Sequence, residues 1–162
     1  MRLFISPRGT RHKSDRLRRA KIAESSRILD RIEPLRGFAH QSKRAVAALR
    51  TFFEFTHRCS KKVWAYGASP NGSVLLQRCR VGKSQLEAIA ERDPNKFNLV
   101  SPGGGIPIRS QHEMRAAQPD YLLVMDWANI DKILERERQY LENGGKIIAP
   151  LPELRTFSRS DL

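Results

Sequence analysis

The sequence predicts an α/β fold, in which a small and mainly parallel sheet of about five strands follows a basic helical arm. Two observations on the order of the segments support this prediction. Short apolar segments alternate with helical segments from residue 63 onward, which is typical of parallel strands joined through helices. The segment at residues 121–125 is apolar throughout, as expected for a central strand that is buried on both faces.

The charge distribution supports the same division of the chain. The net charge is +13, but residues 1–62 hold 17 Lys and Arg against 5 Asp and Glu, whereas residues 63–162 hold 13 against 12. A basic arm can bind nucleic-acid backbones, or it can be a solvated helical surface on an acidic partner. We favour the second role and expect residues 1–36 to form the arm and residues 37–162 to form the α/β domain with its leading helix.

In the first third of the chain, one amphipathic helix is predicted after a segment with few apolar residues. Residues 1–6 alternate like a strand, and residues 8–31 are expected to order only through contact with another chain or domain. Pro34 and Gly37 are expected to break the chain. One helix face is then predicted within residues 38–58 from the spacing of its apolar residues: Phe38, Ala45, Val46, Leu49, Phe52 and Phe53.

The rest of the chain predicts the strands and helices of the sheet domain. Strands are expected at residues 63–66, 86–91, 106–108, 121–125 and 146–149. Helices are expected at residues 72–79, 112–117 and 130–142. Ser110 and Glu113 have the spacing of a capping box for the second of these helices. This order of strands and helices predicts a Rossmann-like domain.

The segment Lys61–Ser73 combines a short strand, a glycine-containing loop and the start of a helix. Such a turn directs backbone N–H groups and the positive end of the helix dipole toward one point, which suits a phosphate. The dinucleotide fingerprint G-x-G-x-x-G is absent, because Ser69 stands where its second glycine would be. Gly72→Val is expected to block binding while leaving the fold largely intact. The residues expected near a nucleotide-like ligand are Gly67, Ser69, Asn71, Gly72 and Ser73.

Three further candidates follow strand ends, at the edge where parallel sheets bind ligands. Glu91 ends the second strand, where an acid can bind ribose hydroxyls, although a solvated strand-end carboxylate is an equal alternative. Trp127 and Asn129 follow the fourth strand, and Trp127 is also compatible with simply covering the core.

No catalytic or metal-binding residue is predicted. The four histidines have no Cys or carboxylate at ligand spacing, and Cys59 and Cys79 lie far apart. Free thiols suit a reducing cytoplasm, and no apolar run approaches the roughly 18 residues of a membrane span. We therefore expect a cytoplasmic protein that binds a ligand rather than one that carries the reactive groups.

Residues 38–157 resemble the C-terminal domain of sugar-nucleotide C-methyltransferases, which use S-adenosylmethionine (SAM). The matching stretches, in the order of the family, are VWAYGASPNGSVLLQRC, ERDPNK, PGGGIPI, PDYLLVMDW and GGKIIAPLPEL. In the family a SAM-binding domain precedes this domain, and MRLFIS resembles its last strand. The family usually has Lys at Asn71, Asn at Ser73, and Asn in place of Ala128 directly after Trp127.

The resemblance implies a substrate-side domain of a C-methyltransferase that acts on a nucleotide-linked ketosugar. The implied reaction removes a proton beside a ketone and transfers the methyl group of SAM to the resulting carbanion. No acidic-x-Gly-x-Gly loop occurs in the sequence, so SAM and the base are expected in another domain or chain. Residues 1–36 would be a partly ordered remnant of that domain. This chain alone is then expected to bind no cofactor and to be inactive. Two alternatives stay open: a stand-alone nucleotide-binding module and a basic nucleic-acid-associated protein.

Overall fold

The structure is a computed structural model, and it describes residues 5–7, 9–10, 12–26 and 31–162. The chain divides into two compact units, Met1–Ser42 and Lys43–Leu162. Most of the strand that the sequence predicts at residues 1–6 lies outside the described residues. The expectation that residues 8–31 order only through a partner stays a prediction.

Two helices precede the sheet. The first, α1 (Asp15–Ser26), has no buried residue, whereas α2 (Ile32–Arg58) is 27 residues long and buries one face. The predicted chain break at Pro34 and Gly37 is wrong, because both residues lie inside α2. Pro34 is tolerated there since it stands in the first turn, where a backbone N–H has no acceptor within the helix. The expected domain boundary at residue 36 therefore falls within a continuous helix.

One sheet of six strands forms the centre of the second unit. Its strands are β1 (Val63–Tyr66), β2 (Ala88–Glu91), β3 (Ile108–Ser110), β4 (Tyr121–Val124), β5 (Lys146–Ala149) and β6 (Arg155–Phe157). Their order is β3-β2-β1-β4-β5-β6, and all neighbouring pairs are parallel except β5 and β6. The predicted mainly parallel α/β sheet is confirmed. The sequence analysis missed β6, a three-residue antiparallel edge strand, and placed β3 two residues too early.

Four short helices connect or flank these strands: α3 (Pro70–Cys79), α4 (Gln111–Ala117), α5 (Ile130–Arg136) and α6 (Arg138–Glu142). The capping box of Ser110 and Glu113 is confirmed at the start of α4. The single helix predicted at residues 130–142 is wrong, because the chain leaves helical geometry at Glu137, with φ −101° and ψ 26°. The side chain of Glu137 is buried at this break between α5 and α6.

Alternate residues of the central strands supply two apolar layers. On one side, the α2–α3 face, Ala65 and Leu123 pack with Leu49 and Phe53 of α2 and Leu76 of α3. This confirms that the apolar stripe of α2 packs on the sheet. On the other side, the α4–α6 face, the buried residues include Tyr66, Leu122, Met114, Ile133 and Tyr140.

Candidate functional site

The candidate site lies at the carboxyl edge of the sheet, beside β1. The strand order runs in one direction from β1 to β3 and in the other direction from β4 to β6, so β1 and β4 flank the topological switch point. The connection after β1 leads to α3 on one face, and the connection after β4 leads to α5 on the other. Open parallel sheets bind ligands in the crevice between two such connections.

The loop between β1 and α3 is held by two serine side chains. Ser69 is the N-cap of α3, and its Oγ accepts a hydrogen bond from the N–H of Gly72 at 3.1 Å. The same hydroxyl donates to the carbonyl oxygen of Met125 at 3.1 Å and so joins the loop to the end of β4. Ser73 donates to the carbonyl oxygen of Ser69 at 3.1 Å, and Asn71 is exposed. The predicted residues here do come together, but their hydroxyls bind the backbone of the loop and of Met125.

The two glycines of this loop have different roles. Gly67 has φ +90°, a left-handed conformation that favours glycine. Gly72 is buried, and a Cβ at its position would overlap the side chain of Met125. The expectation that Gly72→Val leaves the fold largely intact is therefore wrong, because Gly72 is needed for the packing of α3 against the end of β4.

Glu91 binds the ends of β2 and β1 together. One carboxylate oxygen accepts from the backbone N–H groups of Arg92 and Asp93 at 2.7 and 3.1 Å, and the other accepts from the N–H of Ala68 at 2.8 Å and from Lys96 at 3.4 Å. Partial burial raises the pKa of Glu91, but these hydrogen bonds and the Lys96 charge outweigh it and leave the pKa below its ordinary value. Its side chain is 12% exposed, so it is not a solvated strand-end carboxylate.

Trp127 and Asn129 lie in a 3-10 turn after β4, and their side chains are in different environments. Trp127 is half-buried and packs against the apolar layer on the α2–α3 face. Asn129 is exposed, and its side-chain amide donates to the Asp126 carboxylate at 2.9 Å. Trp127 therefore has a packing role in this structure, while Asn129 faces the open edge.

A cavity of about 360 Å³ opens at this edge, next to α5. Three of the eight predicted site residues line it: Gly67, Glu91 and Asn129. Seven further residues line it that are not among those eight: Tyr66, Arg92, Gln111, Asp126, Lys132, Ile133 and Arg136. A signal for two of them was available, because Lys132 and Arg136 are four residues apart and so share one face of a predicted helix.

A buried carboxylate organises the wall of the cavity. Glu137 is 1% exposed and accepts two hydrogen bonds from Arg115, at 2.9 and 2.6 Å. The hydroxyl of Tyr66 also donates to Glu137, at 2.8 Å, and accepts from Arg136 at 3.4 Å. Burial is the main cause that raises the pKa of Tyr66 to about 12, so this hydroxyl stays protonated at neutral pH.

The residues that the structure describes contain no group of three or more His, Cys, Asp or Glu side chains placed to hold a metal ion. None of the described helices has the length and apolar character needed to cross a membrane. The arrangement at the sheet edge offers cations, hydrogen-bond donors and carboxylates around an open cavity, which suits the binding of a polar and anionic molecule.

Comparison with known proteins identifies the family. Residues 1–152 match the family described as the C-methyltransferase C-terminal domain. C-methyltransferase NovU from Streptomyces niveus is 34% identical over 123 residues, which cover 76% of this chain and 29% of NovU. The chain therefore spans less than a third of the length of this curated relative. Because the family match extends over nearly the whole sequence, this chain belongs to the C-methyltransferase C-terminal domain family.

Proposed function

We propose that this chain forms the substrate-side domain of a SAM-dependent C-methyltransferase that acts on a nucleotide-linked ketosugar. Membership of the family supports carbon methylation. The observation that best supports this substrate is the cavity at the switch point of the sheet. Its wall contains both cationic and hydrogen-bonding side chains. A nucleotide-linked sugar requires both, because its phosphates are anionic and its sugar carries hydroxyl groups.

The side chains of the wall fall into the same two groups, cations and hydrogen-bonding groups. Arg92, Lys132 and Arg136 supply positive charge for phosphate oxygens. Asp126 and Asn129 supply acceptors and a donor for hydroxyl groups. The volume of about 360 Å³ is near the lower end of the range for small-molecule sites, roughly 300–1,000 Å³. We infer that another domain covers the remaining part of the ligand.

The residues of this chain do not fit SAM. A Rossmann-type cofactor site needs a glycine-rich turn after its first strand, so that the backbone can approach the cofactor closely. Here Ser69 stands in that turn with its hydroxyl bound to the N–H of Gly72 and the carbonyl of Met125, and Gly72 is packed against the Met125 side chain. We therefore assign SAM and the catalytic base to a partner domain or chain, and we assign binding and orientation of the substrate to this one.

A titration followed by amide chemical shifts tests the proposal. A deoxythymidine-diphosphate sugar added to the isolated chain should shift the amides of Gly67, Arg92, Asn129 and Lys132, whereas SAM should shift none of them. The same mixture with SAM should show no methyl transfer. Unchanged shifts at millimolar sugar nucleotide would contradict the proposal. Shifts confined to residues 8–31 would show that the site assignment is wrong, and turnover by this chain alone would show that it holds the reactive groups.

A further inference from the structure

We propose that the cationic side of the cavity is a diphosphate subsite, in which Arg136 contacts the ligand and Tyr66 positions Arg136. This inference deepens the proposed function and rests on it, since the diphosphate is that of the nucleotide-linked sugar. The diphosphate is then bound by the cations of the wall and the sugar by its hydrogen-bonding groups. The Tyr66 hydroxyl and the buried Glu137 serve to hold Arg136 in place.

The first step of the argument is the charge of three side chains. Arg92 follows β2, and Lys132 and Arg136 stand one helical turn apart on α5, so all three line the cavity from two sides. Among the described residues, no carboxylate oxygen lies within 4.0 Å of any of these cations. By contrast, Lys96 and Arg115, which lie nearby, are both paired with a carboxylate.

The carboxylates of the wall have other partners than these three cations. Both oxygens of Glu91 accept hydrogen bonds from backbone N–H groups, and one of them also accepts from Lys96. Asp126 accepts from the side chain of Asn129. Arg92, Lys132 and Arg136 outnumber the two carboxylates of the wall, one of which is paired with Lys96, so the cavity has an excess of positive charge that favours an anionic ligand such as a diphosphate.

The second step is the way in which Arg136 is held. Its guanidinium donates one hydrogen bond to the Tyr66 hydroxyl at 3.4 Å, and that hydroxyl donates to Glu137 at 2.8 Å. Arg115 neutralises Glu137 through two hydrogen bonds. Arg136 is therefore positioned by a neutral acceptor rather than by a carboxylate. Its charge and its other N–H groups stay available to the ligand.

Affinities for three probes test the subsite: deoxythymidine diphosphate, inorganic pyrophosphate and thymidine, each measured by calorimetry. Arg136→Gln should weaken binding of the first two by about tenfold or more, because it removes a charge-assisted contact. Thymidine binding should not change. Arg138→Gln is the matched control, since it removes the same charge from an exposed position on α6 that is not part of the cavity wall.

A double-mutant cycle tests the positioning role. Tyr66→Phe should weaken pyrophosphate binding several-fold in the native chain and should add nothing in the Arg136→Gln background. A residue that only stabilised the fold would weaken binding equally in both backgrounds. Tyr121→Phe is the control, because it removes a hydroxyl from the residue that packs with Phe52 on the α2–α3 face. Arg136 is exposed, so Arg136→Gln is informative even if Tyr66→Phe does not fold.

The outcomes separate this inference from the proposed function. If pyrophosphate affinity is unchanged by Arg136→Gln, or if Tyr66→Phe is additive with it, the inference is wrong. If the sugar nucleotide binds while Arg136→Gln has no effect on it, the inference fails and the proposed function stands. If pyrophosphate binds with the expected variant effects but no sugar nucleotide binds, the anion subsite is supported and the proposed substrate is wrong.

Discussion

Single residues at the carboxyl edge of the sheet hold its loops through hydrogen bonds from side chain to backbone. Ser69 connects the loop after β1 to the end of β4, and Glu91 connects the same loop to the end of β2. Gly72 lets α3 approach Met125 closely. These residues fix the positions of the loops around the cavity, while the cations that face the cavity come from other positions in the sequence.

Gly72→Ala should lower the free energy of unfolding. The added Cβ would lie 2.7 Å from the Cβ of Met125, a buried residue whose Cβ cannot move without the backbone that follows β4. Overpacking of this kind costs roughly 1–3 kcal/mol. Urea unfolding measures the change, and Gly82→Ala is the control because its Cβ would have its nearest neighbour at 3.6 Å. Equal stabilities of the two variants would contradict the packing role of Gly72.

Glu91→Gln should destabilise the fold at neutral pH and much less in acid. The pKa of Glu91 is lower in the folded chain than its ordinary value, because its backbone hydrogen bonds and Lys96 outweigh the effect of burial. A lowered pKa stabilises the folded state above the unfolded value of about 4.3, and this contribution disappears as the pH falls through the folded value. The loss at pH 7 should be about 1–3 kcal/mol, as expected for a buried acceptor.

Unfolding in urea at pH 7 and at about pH 3 measures this difference. Glu142→Gln, which changes an exposed carboxylate on α6, should show no such dependence on pH. A stability difference between the native chain and Glu91→Gln that stays constant over this range would show that the Glu91 carboxylate does not hold the ends of β1 and β2 together.

The helices differ in whether residues close in the sequence fix their ends. α4 begins with a complete capping box, in which Ser110 accepts from the N–H of Glu113 and the Glu113 carboxylate accepts from the N–H of Ser110. α5 and α6 have no side-chain cap, and their junction at Glu137 is instead determined by the burial of that side chain. Helices with local caps are predictable from sequence, whereas this junction depends on Arg115 and Tyr66.

Ser110→Ala should destabilise the protein by about 1 kcal/mol, since it removes the N-cap acceptor of a seven-residue helix. Thermal unfolding checks the change, with Ser84→Ala in an exposed turn as the control. If Ser110→Ala is no more harmful than Ser84→Ala, then α4 is held by packing of its buried Met114 alone.

At the scale of the whole molecule, the strand order creates the site. Because β1 stands between β2 and β4, the loops after β1 and β4 diverge to opposite faces and leave an opening between them. The cavity forms at this opening, with α5 as one wall. The basic segment before the sheet has a different character, because α1 buries no residue of its own.

Hydrogen exchange should therefore differ sharply between the two units. Amides of Asp15–Ser26 should exchange rapidly, because a 12-residue helix with no buried face is marginal in water. Amides of β1 and β4 should be the slowest, since these central strands are almost wholly buried. Strong protection of Asp15–Ser26 in the isolated monomer would contradict this expectation and our view that the arm orders only through a partner.

Sequence alone determined the features that depend on neighbouring residues. The apolar strands β1 and β4, the stripe of α2 and the capping box of Ser110 follow from side-chain periodicity and from hydrogen bonds over three or four residues. These patterns were sufficient for the class of fold and for the edge of the sheet at which the cavity lies. They also indicated Gly67, Glu91 and Asn129 as part of that edge.

Tertiary structure alone decided which side chains form the cavity wall and which hold the loops. Tyr66 and Glu137 are 71 positions apart and meet only because β1 packs beside the junction of α5 and α6. Ser69 and Met125 are 56 positions apart, so the sequence could not show whether the Ser69 hydroxyl holds the loop or contacts a ligand. The antiparallel β6 was missed because three residues carry too little periodicity to identify a strand. Local patterns specify elements, whereas contacts between distant residues arise only when those elements pack.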